Sequence, residues 1–254
     1  MKYIKKFNSV SDMNTALASS TISVLGMAYN NGTPVINNKV VEPVPPTPSH
    51  DYVEIGGVKW ATMNVGASTI YDAGLYFQWG DEIGNPASVI GTEDCSRHYT
   101  YEDYKFYDEN NPDQYLGFTK YNEYDELNEL EGWDDAVYAA WGDNWRMPTT
   151  LEIYALIDAT NQSWVENYNG SGVNGMLCTD KTDNSKVLFF PASGYCTNDS
   201  LIEPEVGYIW SKSLSLVPGD YNCGYHMVIN DSSDIDVTYS IREFGYPCRG
   251  ILDE

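Results

Sequence analysis

Trp141-Gly142-Asp143-Asn144-Trp145-Arg146-Met147-Pro148-Thr149-Thr150-Leu151-Glu152-Ile153-Tyr154-Ala155-Leu156-Ile157 is the stretch on which the fold of this 254-residue chain turns. A helix begins after the Trp-Arg-Met-Pro segment. Thr149 or Thr150 caps it, Glu152 lies in its positive first turn, and Ile153, Leu156 and Ile157 recur at helical spacing to form one apolar stripe. Such a stripe has to be buried, so the helix is expected to pack on a sheet.

Material for that sheet lies on both sides. Val53, Ile55, Val58 and Trp60 flank Gly56-Gly57, which is hairpin chemistry, and Leu188-Phe189-Phe190, Tyr208-Ile209-Trp210, Met227-Val228-Ile229 and the segment around Ile241 are further short apolar runs. The expectation is an α+β, largely β domain of short strands with one main helix over residues 50–254. Upstream, Pro43, Pro45, Pro46 and Pro48 fix φ and remove amide donors, so residues 42–49 form a semi-rigid spacer. Residues 1–41 then make a separate small αβ piece, with a helix over 12–19, a strand around Ile22, Val24 and Met27, a turn at Asn30-Asn31-Gly32 and a strand at Val35-Ile36. So few large apolar groups cannot hold a stable core alone, and the piece is expected to dock on something else.

Composition bounds the partners. Fourteen Lys+Arg against 37 Asp+Glu give a formal net charge of −23, which repels phosphate backbones and anionic lipid, so neither nucleic acid nor a membrane is an expected partner. No run of eighteen apolar residues occurs, and no apolar stretch follows the lysines near Met1 to act as an export signal. The five cysteines, Cys95, Cys178, Cys196, Cys223 and Cys248, form an odd set without a Cys-x-x-Cys pair. Reduced, mostly buried thiols are expected, not a zinc knuckle or a disulfide framework.

Residues 93–135 hold fourteen acids and three bases interleaved with ten aromatics, and lack helical periodicity. A long surface insertion is the simplest reading. Its rings either pack back on the domain or serve recognition, since tyrosine gives large contact area at low conformational cost. On the second reading Tyr101, Tyr104, Tyr107, Tyr121 and Tyr124 are the candidate ligand contacts.

Several blocks, in order, resemble the Fibrobacter succinogenes major paralogous domain, which is related to the C-type-lectin-like and formylglycine-generating-enzyme fold. They are Gly57-Val58-Lys59-Trp60-Ala61-Thr62-Met63-Asn64-Val65-Gly66, Gly74-Leu75-Tyr76-Phe77-Gln78-Trp79-Gly80, Trp141 to Thr149, Phe190-Pro191-Ala192-Ser193-Gly194-Tyr195, Gly207-Tyr208-Ile209-Trp210-Ser211-Lys212-Ser213 and Arg242 to Gly250. The resemblance implies a C-type-lectin-like domain whose first and last strands pair, with one helix after Trp-Arg-Met-Pro and variable loops on one side. Trp60, Trp79, Trp145 and Trp210 then belong to the core, and Arg146 is a buried or half-buried pairing residue. Residues 1–41 resemble short modules of virion proteins from tailed phages of gut Bacteroidales.

Catalytic chemistry is poorly signalled. No nucleophile elbow, dinucleotide loop, phosphate loop or His-Glu-x-x-His segment occurs, and His50, His98 and His226 are scattered. The enzymatic relatives' closely spaced cysteine pair is missing, since Cys223 and Cys248 stand far apart. No catalytic residue, metal site or cofactor is therefore assigned, although oxygen donors in the acidic insertion leave calcium an open alternative. The expected function is a non-enzymatic virion protein, a head fibre or capsid decoration. Residues 1–41 would dock on a capsid or other virion protein, and the lectin-like domain would face a host glycan or surface protein, in a homo-oligomer such as a trimer. The alternative is a bacterial cell-surface adhesin-like protein.

Overall fold

The computed structural model describes residues 29–30, 33–34 and 50–253, apart from 111–117, 143, 218–221 and 233. The chain divides into two units, 1–47 and 48–254. In the first, β1 (Tyr29–Asn30) pairs antiparallel with β2 (Thr33–Pro34). The helix expected over 12–19, the strands around Ile22 and Val35, and the proline spacer lie outside the described residues.

The second unit is built from small antiparallel sheets with few helices, an α+β and mainly β architecture. β3 (Tyr52–Ile55) and β4 (Val58–Asn64) form the hairpin at Gly56-Gly57. Both glycines take positive φ, 62° and 77°, which a two-residue turn matched to strand twist requires. β17 (Arg249–Leu252), near the chain's end, lies between β4 and β7 (Trp145–Arg146), with Ile251 opposite both Trp60 and Arg146. The early hairpin, the Trp-Arg-Met-Pro strand and the closing segment thus form one four-stranded sheet.

The rest are local. β5 (Leu75–Phe77) is flanked by β6 (Gly84–Pro86) and β16 (Tyr246–Pro247). β8 (Thr160–Val165), β9 (Gly175–Asp180) and β10 (Val187–Pro191) make one meander. β13 (Gly207–Leu214), β14 (Cys223–Ile229) and β15 (Ile235–Ile241) make a second, and β11 (Tyr195–Thr197) with β12 (Ser200–Ile202) a short hairpin.

Strand alternation gives two main cores, beside a small third cluster of Tyr76, Cys95, Tyr99 and Cys196. Successive side chains point to opposite faces, so Trp60, Ile209, Met227 and Ile251 enter one cluster while their neighbours Ala61, Trp210 and Tyr208 enter another. β13 is buried along nearly its whole length because it serves both. The first core is closed by a helix over Thr150–Ala159, whose Ile153 and Leu156 are buried against Ile55, Trp60 and Phe190. Each of those two side chains contributes roughly 1.5–3 kcal/mol of transfer free energy.

That helix starts where the sequence places it. Thr149 Oγ1 accepts the Glu152 amide at 3.3 Å, and Glu152 Oε2 accepts the Thr149 amide at 2.8 Å. It is not the only helix: a six-residue helix, α1 (Ala136–Trp141), precedes it, so the capped helix is α2. The ten-residue α2 remains the one main helix, as expected. Six residues carry too little periodicity to be read, and α1 exists because the buried Asp135 carboxylate caps it, accepting the Val137 and Tyr138 amides at 2.9 and 3.1 Å.

Trp60, Trp79, Trp145 and Trp210 are all buried, as expected. Two of them tie strands together reciprocally: Trp79 Nε1 donates to Ser211 O and Trp210 Nε1 donates to Phe77 O, each at 2.8 Å. Arg146 is a half-buried pairing residue, bidentate to Glu152 at 2.9 and 2.7 Å. All five thiols are free and buried. None of the helices among the described residues is long and apolar enough to cross a membrane.

Candidate functional site

The second core has no long helix over it; the acidic aromatic insertion covers it instead. Tyr101, Tyr104, Phe106, Phe118 and Tyr121 are buried there beside Trp79 and Trp210. Tyr121 is edge-on to Trp79 at 5.2 Å and to Phe106 at 5.4 Å, and Tyr104 is edge-on to Phe118 at 5.5 Å. Their hydroxyls are satisfied inside the protein: Tyr104 Oη donates to Trp79 O at 2.8 Å and Tyr121 Oη to Asp134 Oδ2 at 2.9 Å. Beneath them the buried Arg242 guanidinium lies 3.8 Å from the Phe118 ring centroid, a desolvated cation–π contact.

Of the two readings of the insertion, the packing of rings back on the domain is borne out for Tyr101, Tyr104 and Tyr121, so the segment is a covering layer and not a purely outward excursion. Alternation in β4, β13 and β14 creates a second apolar face, and the insertion supplies the rings that bury it. Of the five candidate contacts, Tyr101, Tyr104 and Tyr121 point into the core, at 9%, 3% and 0% exposure, and offer no face to a ligand. Tyr107 is half-buried, stacked edge-on against Tyr101 at 5.0 Å. Tyr124 alone of the five is fully outside, at 81% exposure.

What holds the outer edge in shape is Asp134. Its carboxylate receives Lys105 Nζ at 2.8 Å, Lys120 Nζ at 2.6 Å and the Tyr121 hydroxyl. Burial works to raise its pKa, but those three hydrogen bonds together outweigh it and hold the group below the ordinary carboxylate range. Beside this clamp Trp133 stands 67% exposed, its ring edge-on to Tyr138 at 5.4 Å, with Glu129 and Glu131 exposed nearby in sequence. Among its described residues the insertion therefore offers solution two strongly exposed aromatic faces, Tyr124 and Trp133, in an acidic setting. Rigid aromatic faces of this kind suit saccharide rings and protein hot spots.

A different constellation occupies the far end of the same insertion. Cys95, His98 and Asp199 converge, with one potential ligand atom from each lying within 4.8 Å of the others. His98 Nδ1 is 2.9 Å from Asp199 Oδ1, and the Cys95 thiol donates to Arg97 O at 2.9 Å. Cys95 is buried, while His98 and Asp199 are exposed. The other two histidines are structural: His50 stacks on Trp141 at 3.9 Å, and His226 is buried among Trp210, Tyr208 and Tyr246. Burial pushes the His226 pKa down to about 3, so its ring is neutral at pH 7.

No protein-family model, curated protein or solved structure matches this chain. Trp133 and Asp134 escaped the sequence reading because tyrosines dominate the insertion and nothing in their spacing separates rings that face in from those that face out. Cys95 and His98 left a signal in their two-residue spacing, but Asp199 follows a hundred residues later and only the fold brings it to them.

Proposed function

We propose that this protein is a non-enzymatic virion structural protein, a head fibre or capsid decoration. Residues 50–254 are its C-type-lectin-like display domain and residues 1–41 its docking module on a capsid or other virion protein. The lectin-like reading is supported by the pairing of β4 with the late strand β17, by the helix that follows Trp-Arg-Met-Pro, and by the long connection between β6 and β7. The display reading is carried by one observation: among the described residues the insertion's rings include a packed set and two strongly exposed ones, Tyr124 and Trp133. A host glycan or host surface protein is the partner these suit. Weak single contacts become useful when several copies, a trimer for instance, are presented together.

The test has two arms. Deleting residues 1–41 abolishes incorporation into purified particles while the remaining domain stays folded by circular dichroism; particles that retain the truncated protein contradict the docking assignment. Trp133→Ala lowers binding of the multivalent protein to host cells at least tenfold with no loss of stability, and unchanged binding refutes the display surface. Recovery of the protein in host outer-membrane fractions and not in particles would favour the adhesin alternative.

A further inference from the structure

We propose that Cys95, His98 and Asp199 form a binding site for a transition-metal dication of the zinc class, separate from the aromatic display face. The donor set is a thiol, an imidazole and a carboxylate, the mixed sulfur, nitrogen and oxygen set that zinc accepts and calcium, which takes six to eight oxygens, does not. A tetrahedral ion with bonds of about 2.0–2.3 Å holds its ligand atoms roughly 3.3–3.6 Å apart. The three donors already lie within 4.8 Å of one another, and His98 and Asp199, with side chains 51% and 41% exposed, are free to close the remainder by small rotations.

Both halves of the site are held rigidly before any ion arrives. On the Cys95–His98 side, Asn85 on β6 accepts the Ser96 amide at 2.8 Å and donates to Arg97 O at 3.3 Å. Asp103 accepts the His98 amide at 2.7 Å, and the Arg97 side chain is anchored on the buried Asp81. On the other side, Asp199 sits at the tip of the β11–β12 hairpin. Asn198 and Asp199 both have left-handed φ there, 45° and 60°, and the Asn198 amide donates to Tyr99 O at 3.3 Å. Left-handed φ at both central positions is what a two-residue hairpin turn requires and what Asn and Asp tolerate, so the turn fixes the Asp199 backbone while its exposed carboxylate stays free to rotate.

Binding replaces one bond with another in a balanced way. The Cys95 proton, now donated to Arg97 O, leaves to bulk water as the thiolate binds the ion, and the His98–Asp199 contact is exchanged for two metal bonds. Three protein donors leave a fourth coordination position for water or for a donor brought by a partner.

The full chain, stripped with a chelator, is titrated with cobalt as a visible probe and with zinc against a chromophoric chelator. The expected result is one ion per chain, a thiolate-to-cobalt charge-transfer band that zinc abolishes and calcium does not, and loss of that band in Cys95→Ser. His98→Ala and Asp199→Asn, which alter exposed side chains, weaken binding at least tenfold. Should Cys95→Ser fail to fold, those two variants still decide. Absence of stoichiometric binding, displacement by calcium, or undiminished affinity in both His98→Ala and Asp199→Asn overturns the proposal and leaves a clasp between loop and hairpin.

Discussion

Glu152 is the residue at which local helix chemistry and sheet assembly meet, and replacing it separates the two. Its Oε2 accepts the Thr149 amide at 2.8 Å and Arg146 Nη1 at 2.9 Å, while Oε1 accepts Arg146 Nη2 at 2.7 Å. Arg146 in turn reaches Asp253 through Nε at 2.8 Å, so one guanidinium joins the helix start, β7 and the chain's end. Half a capping box is worth about 0.5–1 kcal/mol. A bidentate pair with side chains 23% and 21% exposed lies between the surface and buried limits, and about 1–2 kcal/mol is its scale. Glu152→Ala should therefore cost roughly 1.5–3 kcal/mol, and Glu152→Gln, which keeps an acceptor for the Thr149 amide, roughly 1–2. Urea unfolding followed by tryptophan fluorescence reads this as a midpoint shift of about 1 M for the alanine variant, taking a slope near 2.5 kcal/mol per M.

Acidification provides the internal control. Burial works to raise the Glu152 pKa, but the bonds from Arg146 and Thr149 outweigh it and the group lies below its usual 4.5. A depressed carboxylate stabilises the fold above the unfolded pKa and loses that contribution as pH falls through the folded one. The gap between wild type and Glu152→Gln should thus be full at pH 7 and close below pH 4.5. A gap that is equal at pH 7 and pH 3, or an alanine variant no worse than the glutamine one, refutes the division into cap and charge.

Asp135→Ala removes the acceptor of three amides, Val137, Tyr138 and Met147, and should cost about 2–4 kcal/mol with loss of α1, seen as reduced helical ellipticity. Gly74→Ala places a Cβ 2.2 Å from Val65 O at a φ of +77°, so about 3 kcal/mol or more is lost in the same urea assay. Tyr121→Ala empties a fully buried site and should cost about 3–5 kcal/mol, whereas Tyr124→Ala should move stability by less than about 0.5 kcal/mol. His226 has its folded pKa lowered from 6.5 to about 3, so the unfolded state takes up the proton first. Stability should fall by about 1.4 kcal/mol per pH unit below 6.5, and His226→Gln should flatten that slope in pH-dependent unfolding.

The parts of the fold governed by near neighbours were legible. The Gly56-Gly57 hairpin, the Thr149 cap, the apolar stripe of α2 and the interior tryptophans follow from turn chemistry, capping and side-chain size. For the insertion, composition left open whether its rings pack back on the domain or face outward. What decides the matter is the pairing of β4, β13 and β14, which places Ala61, Tyr208 and Trp210 on a face that only the short helix α1, through Ala136 and Val137, partly covers. That demand is set by strands distant in sequence, and tyrosine meets it without leaving a periodic trace. The same reason hides the Cys95, His98 and Asp199 cluster, because Asp199 belongs to a hairpin whose approach depends on tertiary packing.

The distribution of charge narrows what the display face can hold. Among the described residues the cations are largely committed inside the protein: Arg242 and Arg249 are buried, Arg146 and Arg97 are paired, and Lys105 and Lys120 clamp Asp134. Beside Trp133 the flanking acids are themselves paired, Glu131 with Lys120 at 3.5 Å and Glu129 with Lys212 at 3.6 Å, whereas Tyr124 lies between the exposed Glu123 and Glu126, so the negative field is strongest at Tyr124. An anionic ligand, including a sialylated or sulfated glycan, is repelled from such a face. A neutral saccharide stacked on Trp133 feels little of this field, and its binding should not change with ionic strength. A basic host protein would instead be drawn in, with an association rate that falls steeply as salt rises. Measuring binding at low and high salt therefore separates the two classes, and the Trp133→Ala loss should persist at high salt because the stacking contact carries no charge.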